Sequence, residues 1–174
     1  VIKKREEICI TFSHYFRQSY ERISEMREIP DFIYVPNIST SDEKEIIESL
    51  RKSRKRDIIK GVTLSGPHRD NYIFSNKGKE LSEYGSQGQM RIAAISLKNA
   101  ERKMIEEEKE EKAILIVDDV FSELDGKRKK RLVSELSEGN QIFLSMVNIS
   151  EEARKWFPDI SVYKVREGII ETSL

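Results

Sequence analysis

Apolar residues near the start of the chain recur at three- and four-residue spacing. Ile8, Phe12 and Phe16 belong to this series, and charged residues lie between them. Such spacing places apolar side chains on one face of a helix. It predicts one long helix from residue 1 to about 28, which Pro30 stops because proline lacks the N–H that a helix interior needs.

A short strand and a second helix are predicted next. The Phe-Ile-Tyr-Val run at 32–35 is typical of a strand. Thr40-x-x-Glu43 matches a capping box and opens a polar helix with an apolar side at Ile46, Ile47 and Leu50. This first part of the chain, residues 1–60, is therefore predicted to be a mostly helical subdomain.

The pattern changes from Gly61 onward. Strands are predicted at 62–65 and 72–74, the second followed by a hairpin turn at 76–79. A glycine-containing loop at 84–89 then leads into a long helix. Its apolar stripe comprises Ala93, Leu97, Ala100 and Met104, widened by Ile92 and Ile95.

The last third of the chain alternates between strands and helices. The continuous apolar run 113–117 is typical of a strand buried on both faces, as in a parallel sheet. A helix is predicted at about 126–138, a strand at 141–145 and a short helix at about 151–156. A final hairpin joins 161–165 to 169–172. This order from residue 113 onward predicts an α/β fold. Residues 61–174 are expected to form one lobe, a sheet flanked by helices.

Composition narrows the function classes. The 174 residues carry 31 basic and 31 acidic side chains, so any DNA contact must be local. Basic clusters lie at 51–56 and 127–131, and the simpler interpretation of each is a solvated helix face. The chain has a single cysteine, which argues against an internal disulfide, and only two histidines, which argue against a zinc site. It lacks an apolar run long enough to span a membrane. A cytoplasmic location is expected.

Two adjacent carboxylates follow the apolar run. Asp118 and Asp119 come directly after Val117, where ligands bind in open α/β sheets. In phosphoryl-transfer enzymes such an Asp holds Mg²⁺, and a neighbouring carboxylate polarises the attacking water. An acidic turn after a strand is an equally good interpretation of these two residues alone.

A second candidate site lies about 30 residues upstream, where Ser86-Gln87-Gly88-Gln89 precedes the long helix. The first turn of a helix has unsatisfied N–H groups and a partial positive charge, and glycine permits close approach of a phosphate. The alternative is a glycine loop with a polar N-cap.

These segments together resemble the RecF family of ABC-type ATPases. The block from Asp118 to Asp125 is similar to a Walker B and D-loop segment, and Ser86–Gln89 is similar to the ABC signature. Gly66-Pro67-His68-Arg69-Asp70 resembles a segment of RecF proteins. The resemblance is dense over 61–131 and loose over 1–60, which would be the end of the arm domain of RecF.

The resemblance implies an ATP site shared by two protomers. Asp118 would organise Mg²⁺ and Asp119 would orient water. The partner protomer would supply its signature and its D-loop: Ser86, Gln87, Gly88, Gln89, Ser122, Leu124 and Asp125. Arg69 would meet phosphate or, equally, pair with Asp70 to brace a turn. Many ABC proteins have a γ-phosphate-sensing His just after the strand that follows Walker B; this stretch has none, and Ser145 or Asn148 would take its place.

The resemblance also implies partners. RecF proteins dimerise on ATP, bind double-stranded DNA at gaps and single-strand junctions, and act with RecR and RecO to help load RecA. The chain has no Gly-x-x-x-x-Gly-Lys-[Ser/Thr] phosphate loop. It is therefore expected to be a C-terminal half that does not hydrolyse ATP alone. The alternatives are another SMC-like ABC head or a non-catalytic docking module.

Overall fold

The computed structural model describes residues 1–25, 28–121, 124–147, 149, 154–157 and 159–173. Contacts between residues divide it into two compact units, Val1–Glu111 and Lys112–Leu174. The helices and strands of the first unit are α1 (Ile2–Ser24), β1 (Pro30–Val35), α2 (Glu43–Lys60), β2 (Asn71–Asn76), β3 (Lys79–Glu80), α3 (Leu81–Tyr84) and α4 (Gln87–Lys109), with a 3₁₀ turn at Pro67–Arg69.

The first unit is built on two long helices, α1 and α4, that pack against each other. As the sequence predicts, α1 is one long amphipathic helix, but it ends earlier than the position of Pro30 suggests. Glu25 adopts a left-handed conformation (φ 68°) and its N–H bonds to the carbonyl of Glu21, which closes the helix. Pro30 instead begins β1, since the first residue of a strand is one of the positions where proline is tolerated.

An antiparallel sheet in the order β1-β2-β3 lies beside α1. The strands predicted at 32–35 and 72–74 are confirmed, and Phe32 pairs with Phe74 in the register. Phe16 of α1 contacts both of these rings, at centroid distances of 6.2 and 5.4 Å, and is fully buried. Aromatic packing of this kind holds the sheet to the helix.

A buried polar network crosses the α1–α4 interface. Asn99 donates to the Ser19 hydroxyl at 3.0 Å and accepts from Arg102 at 2.8 Å. Arg102, whose side chain is 5% exposed, also pairs with Glu106 at 3.3 Å. Because buried polar groups are costly without partners, this network favours one specific register between the two helices.

Two local predictions in the first unit are wrong. The N-cap of α2 is Asp42, which accepts from the N–H groups of Lys44 and Glu45, so Thr40 and Glu43 do not form the predicted capping box. Residues 62–65 do not form a strand. The Asp57 carboxylate instead accepts the N–H of Leu64 at 3.2 Å, which ties this segment back to α2.

The second unit has α/β character. It contains β4 (Ile114–Val117), α5 (Gly126–Leu136), β5 (Gln141–Leu144), β6 (Val162–Arg166) and β7 (Ile169–Ser173). β4 and β5 are parallel, with Val117 opposite Leu144, and β6 and β7 form the predicted antiparallel hairpin. The predicted inward residues of α5 are buried: Leu132, Val133 and Leu136.

β4 is not buried on both faces in this structure. Val117 is buried, whereas Ile114 and Ile116 are 65% and 82% exposed. Phe143 of the neighbouring β5 is 57% exposed. The apolar run therefore belongs to a two-stranded sheet that is covered on one side within its own unit.

The division into units also differs from the boundary suggested near residue 60. β1, from the first 60 residues, pairs along its full length with β2, and the compact units separate at 111/112. Half of the short helix predicted at about 151–156, residues 151–153, lies outside the described residues. None of the helices in the described ranges is both long and apolar enough to cross a bilayer.

Candidate functional site

Asp118 lies at the carboxyl end of β4, and Ser145 lies at the matching end of β5. The two strands are parallel, and the register that pairs Val117 with Leu144 brings the next residues together. The Ser145 hydroxyl donates to Oδ1 of Asp118, and the N–H of Ser145 donates to the Val117 carbonyl at 3.0 Å. Asp118 is thus an exposed carboxylate whose orientation is fixed by a neighbouring strand.

Asp119 has an unusual backbone. Its φ is 45°, in the left-handed region that Asp and Asn tolerate better than most other residues. Its N–H donates to the Ser145 hydroxyl oxygen at 3.3 Å. Residues held in such conformations cluster at functional sites.

The segment predicted as a signature forms the N-terminus of α4. The helix begins at Gln87, and Ser86 is its N-cap. The Ser86 hydroxyl accepts the N–H of Gln89 at 3.2 Å, while the Gln89 side-chain oxygen accepts the N–H of Ser86 at 2.9 Å. This reciprocal capping box confirms the polar N-cap interpretation without excluding phosphate recognition.

The capping box determines which donors remain available. A helix leaves its first N–H groups without intrahelical partners. Those of Ser86 and Gln89 are used, and among the described hydrogen bonds none involves the N–H groups of Gln87 or Gly88. Two backbone donors and the Ser86 hydroxyl hydrogen are therefore available at the positive end of a 23-residue helix.

Gly85 shapes the corner between α3 and α4. Its N–H donates to the Leu81 carbonyl at 3.0 Å. A Cβ at this position would lie 2.5 Å from the same carbonyl oxygen. Any larger residue would therefore displace the start of α4 and the donors at its N-terminus.

The D-loop candidates have local structural roles. Leu124 is 5% exposed. Asp125 is the N-cap of α5, accepting the N–H of Arg128 at 3.0 Å, and its carboxylate lies 3.5 Å from the Arg128 guanidinium. Ser122 lies outside the described residues.

Arg69 and Asp70 do not pair with each other. Asp70 accepts from Arg5 at 2.5 Å, from the Tyr34 hydroxyl at 2.5 Å and from the Asn37 N–H at 2.9 Å, and its side chain is 1% exposed. Arg69 is exposed and donates through Nε to the Thr63 carbonyl at 3.1 Å. Of the two interpretations of Arg69, the brace to Asp70 is therefore wrong.

The Asp70 cluster has shifted proton affinities. Burial alone would raise the pKa of Asp70, but hydrogen bonds from Tyr34, Asn37 and Arg5 outweigh it and lower that pKa. Burial and the hydrogen bond to Asp70 raise the pKa of Tyr34 to about 12. The cluster is thus a neutral phenol, a carboxylate and a guanidinium that together brace the turn at Gly66–Asp70. Sequence patterns do not identify Arg5 and Tyr34 as partners of Asp70, because they lie 65 and 36 residues away from it.

The described residues include no cluster of three or more His, Cys, Asp or Glu side chains that would hold a metal ion by itself. Mg²⁺ in nucleotide sites is usually held by one or two carboxylates together with phosphate oxygens and water. Asp118 is an exposed carboxylate held in place by Ser145, so it fits a site in which the protein supplies only one or two carboxylate ligands.

Comparison with known proteins gives a consistent result. No family model matches the chain. A protein described as DNA replication and repair protein RecF from Lachnoclostridium phytofermentans is 34% identical over 171 residues, which cover 98% of this chain and 46% of the relative. The protein of the same description from Halothermothrix orenii is 34% identical over 178 residues, covering 98% of this chain and 48% of the relative. The chain thus spans about half the length of the curated relatives it matches.

Solved structures agree. The recombination mediator protein RecF with ATP, from the RecFOR pathway, superimposes with a TM-score of 0.77 and 31% identity over 99% of this chain and 46% of that one. An SMC ATPase structure superimposes with a TM-score of 0.61 at 14% identity, covering 98% of this chain and 87% of that one. The second likeness concerns the fold alone.

Proposed function

Since this chain belongs to the RecF family and corresponds to the C-terminal part of those proteins, we propose that it contributes half of an ABC-type ATP site in a DNA-repair ATPase. The observation that carries the proposal is the arrangement of Asp118, Asp119 and Ser145 at the carboxyl ends of two parallel strands. This is the edge of an α/β sheet where ligands bind.

The second unit would supply the acidic part of the site. Asp118 would offer a carboxylate oxygen to Mg²⁺, which offsets negative charge on the phosphates when bound. Asp119 would orient the attacking water and accept its proton. Ser145 would hold Asp118 in a single orientation by donating to one of its oxygens, leaving the other oxygen for the cation.

The first unit would supply donors. The N–H groups of Gln87 and Gly88 and the hydroxyl of Ser86 lie at the start of α4, where the helix dipole favours an anion. We propose that they contact the γ-phosphate held by a partner protomer. In the second unit, Leu124 and Asp125 would belong to the D-loop. Arg69, an exposed residue, would be a further phosphate contact.

In this proposal ATP acts as a clamp. Two protomers would close on two nucleotides, and hydrolysis would release them. The dimer would bind double-stranded DNA near gaps and single-strand junctions, and would act with RecR and RecO to help load RecA. The solved structure described as a recombination mediator of the RecFOR pathway supports this assignment by similarity.

A direct experiment uses the longer RecF-type protein that carries this sequence. Asp118→Asn should abolish Mg²⁺-dependent ATP turnover while circular dichroism shows an intact fold, because Asp118 is an exposed residue. Full activity of this variant would contradict the proposal. The matched control is Asp159→Asn, which alters another exposed carboxylate of the same unit and should leave turnover unchanged.

A further inference from the structure

The C-terminal half of α2 carries an unusual concentration of positive charge. Between residues 51 and 60 the helix has six basic residues and one acidic residue: Arg51, Lys52, Arg54, Lys55, Arg56, Lys60 and Asp57. All six basic residues are exposed. The chain as a whole is neutral, so this positive charge is a local feature of α2 and not part of a general excess of basic residues.

The single acid does not neutralise this surface, because it points inward. Asp57 accepts from the Ser53 hydroxyl at 3.0 Å and from the N–H of Leu64 at 3.2 Å. Ser53 is 1% exposed. Lys52 pairs with Glu48 at 2.8 Å, and the described ion pairs include none for the other five cations.

Helix stabilisation alone does not explain the cluster. Cations interact favourably with a helix dipole mainly in the last turn, which accounts for Lys60. Arg51, Arg54 and Lys55 lie one to three turns from the C-terminus, where that effect has faded. Like charges so closely spaced repel one another, so in the absence of an anionic partner they disfavour the helix.

We propose that this surface, the outward side of α2 from Arg51 to Lys60, binds the phosphate backbone of duplex DNA. The inference rests on the proposed DNA-repair function and locates its DNA contact. Residues 51–60 extend over about 14 Å, and a duplex presents one phosphate charge per about 1.7 Å of its axis, so the surface spans several phosphates.

The arrangement favours a nucleic acid over a lipid surface. At about 100° per residue, the cations from Arg51 to Arg56 cover an arc of about 200°. A helix that lies in a membrane interface separates a charged face from a continuous apolar face. The exposed apolar residues at this end, Ile58 and Ile59, instead lie together past the basic run.

The second basic cluster of the chain is less available. In residues 127–131, at the start of α5, Arg128 is paired with Asp125 and Arg131 is half-buried with one buried guanidinium nitrogen. Lys127 and Lys130 are exposed. This cluster therefore provides a matched control that removes two exposed charges from another helix.

The test measures duplex binding by the longer protein, with ATP and Mg²⁺, as fluorescence anisotropy over a salt series. Arg51→Gln with Lys55→Gln should reduce the slope of log affinity against log salt by about 2 units, since each lost phosphate contact contributes about 0.9. Lys127→Gln with Lys130→Gln should leave the slope unchanged. Arg51→Lys with Lys55→Arg keeps both charges and should retain the parent slope, which separates charge from helix stability.

Several results would overturn the proposal. If the α2 variant keeps the parent slope, the DNA contact lies elsewhere, whatever the slope of the α5 variant. The proposed DNA-binding function would then still stand. If the parent protein does not bind duplex even at low salt, the proposed DNA function and this surface both fail. If the α2 variant loses binding to anionic phospholipid vesicles but not to DNA, the surface recognises lipid.

Discussion

The hydroxyl of Ser145 donates a hydrogen bond to Oδ1 of Asp118, so a residue at the end of β5 fixes the carboxylate at the end of β4. The same hydroxyl oxygen accepts the N–H of Asp119 at 3.3 Å. Ser145 is therefore the common partner of both carboxylate residues, and its loss should affect the orientation of Asp118 more than the fold.

Replacing Ser145 tests this positioning role in the longer protein. We expect Ser145→Ala to lower kcat about tenfold, the scale of one hydrogen bond to a charged group, with little change in ATP affinity. The Mg²⁺ concentration needed for half-maximal activity should rise. Ser145→Thr keeps the hydroxyl and should recover most of the rate. An equal loss in both variants would show that packing, not the hydrogen bond, matters here.

Asp119→Asn should separate binding from turnover. Asn also tolerates the left-handed backbone at this position, so the turn should persist. Without a negative charge to orient water, turnover should fall about 100-fold or more while ATP binding and dimerisation remain. Single-turnover kinetics together with nucleotide binding would measure this, and unchanged turnover would assign the role to another residue.

The 174-residue chain alone should not hydrolyse ATP. Its sequence lacks the glycine-rich phosphate loop, and positioning of the phosphates is nearly all of phosphoryl-transfer catalysis. A sensitive phosphate-release assay should give a rate at the buffer level. A Mg²⁺-dependent rate that disappears in Asp118→Ala would contradict this expectation.

Asp70 should be a principal determinant of stability in the first unit. Asp70→Asn leaves Arg5 without its partner, and we expect a loss of about 2–3 kcal/mol of unfolding free energy in urea titrations. Asp31→Asn is the control, since it removes an ion pair to Arg17 whose side chains are 51% and 42% exposed. That change should cost less than about 1 kcal/mol.

The same cluster sets a pH dependence. The pKa of Asp70 is lowered in the folded state, so its stabilisation is present above about pH 4, the usual unfolded value, and is lost as pH falls through the native pKa. The pKa of Tyr34 is raised to about 12, so its contribution is present below about pH 10 and is lost as pH rises toward 12. Tyr34→Phe should remove the alkaline loss, and an unchanged alkaline limb would contradict this assignment.

Local patterns predicted much of the fold. The inward residues of α5 and the turn between β6 and β7 follow from helical spacing and a Glu-Gly turn, and both are present. The prediction of a strand at 62–65 is wrong because the N–H of Leu64 donates to the Asp57 carboxylate. Strand propensity does not encode such a contact. The apolar run correctly predicts β4 as a strand, whereas the burial of its two faces depends on which neighbouring elements cover them.

The candidate site was predictable only in part. Asp118 and Asp119 stand out because they end an apolar strand, and Ser86 stands out because it precedes a long helix. The bond between Ser145 and Asp118 depends on the parallel register of β4 and β5, which only the folded structure sets. The partners of Asp70 likewise could not be predicted from local patterns, since Arg5 lies far away in the sequence, on α1.

We expect the donors at the start of α4 to complete an ATP site on another protomer. Mixing two inactive variants of the longer protein measures this complementation. Ser86→Arg should bind ATP but not dimerise, because a bulky cation occupies the phosphate position, while Ser86→Thr, which keeps the hydroxyl and the N-cap, should remain active. A variant altered in the phosphate loop should fail to bind ATP.

Together, the two inactive variants can form one complete site, with Asp118 and Asp119 from the Ser86→Arg protein and an intact Ser86 from its partner. We predict that mixing restores part of the ATPase activity, measured as phosphate release alongside the size of the heterodimer. A heterodimer without activity would show that turnover needs both sites complete. Normal dimerisation and hydrolysis by the Ser86→Arg protein alone would show that Ser86 does not act across a dimer interface.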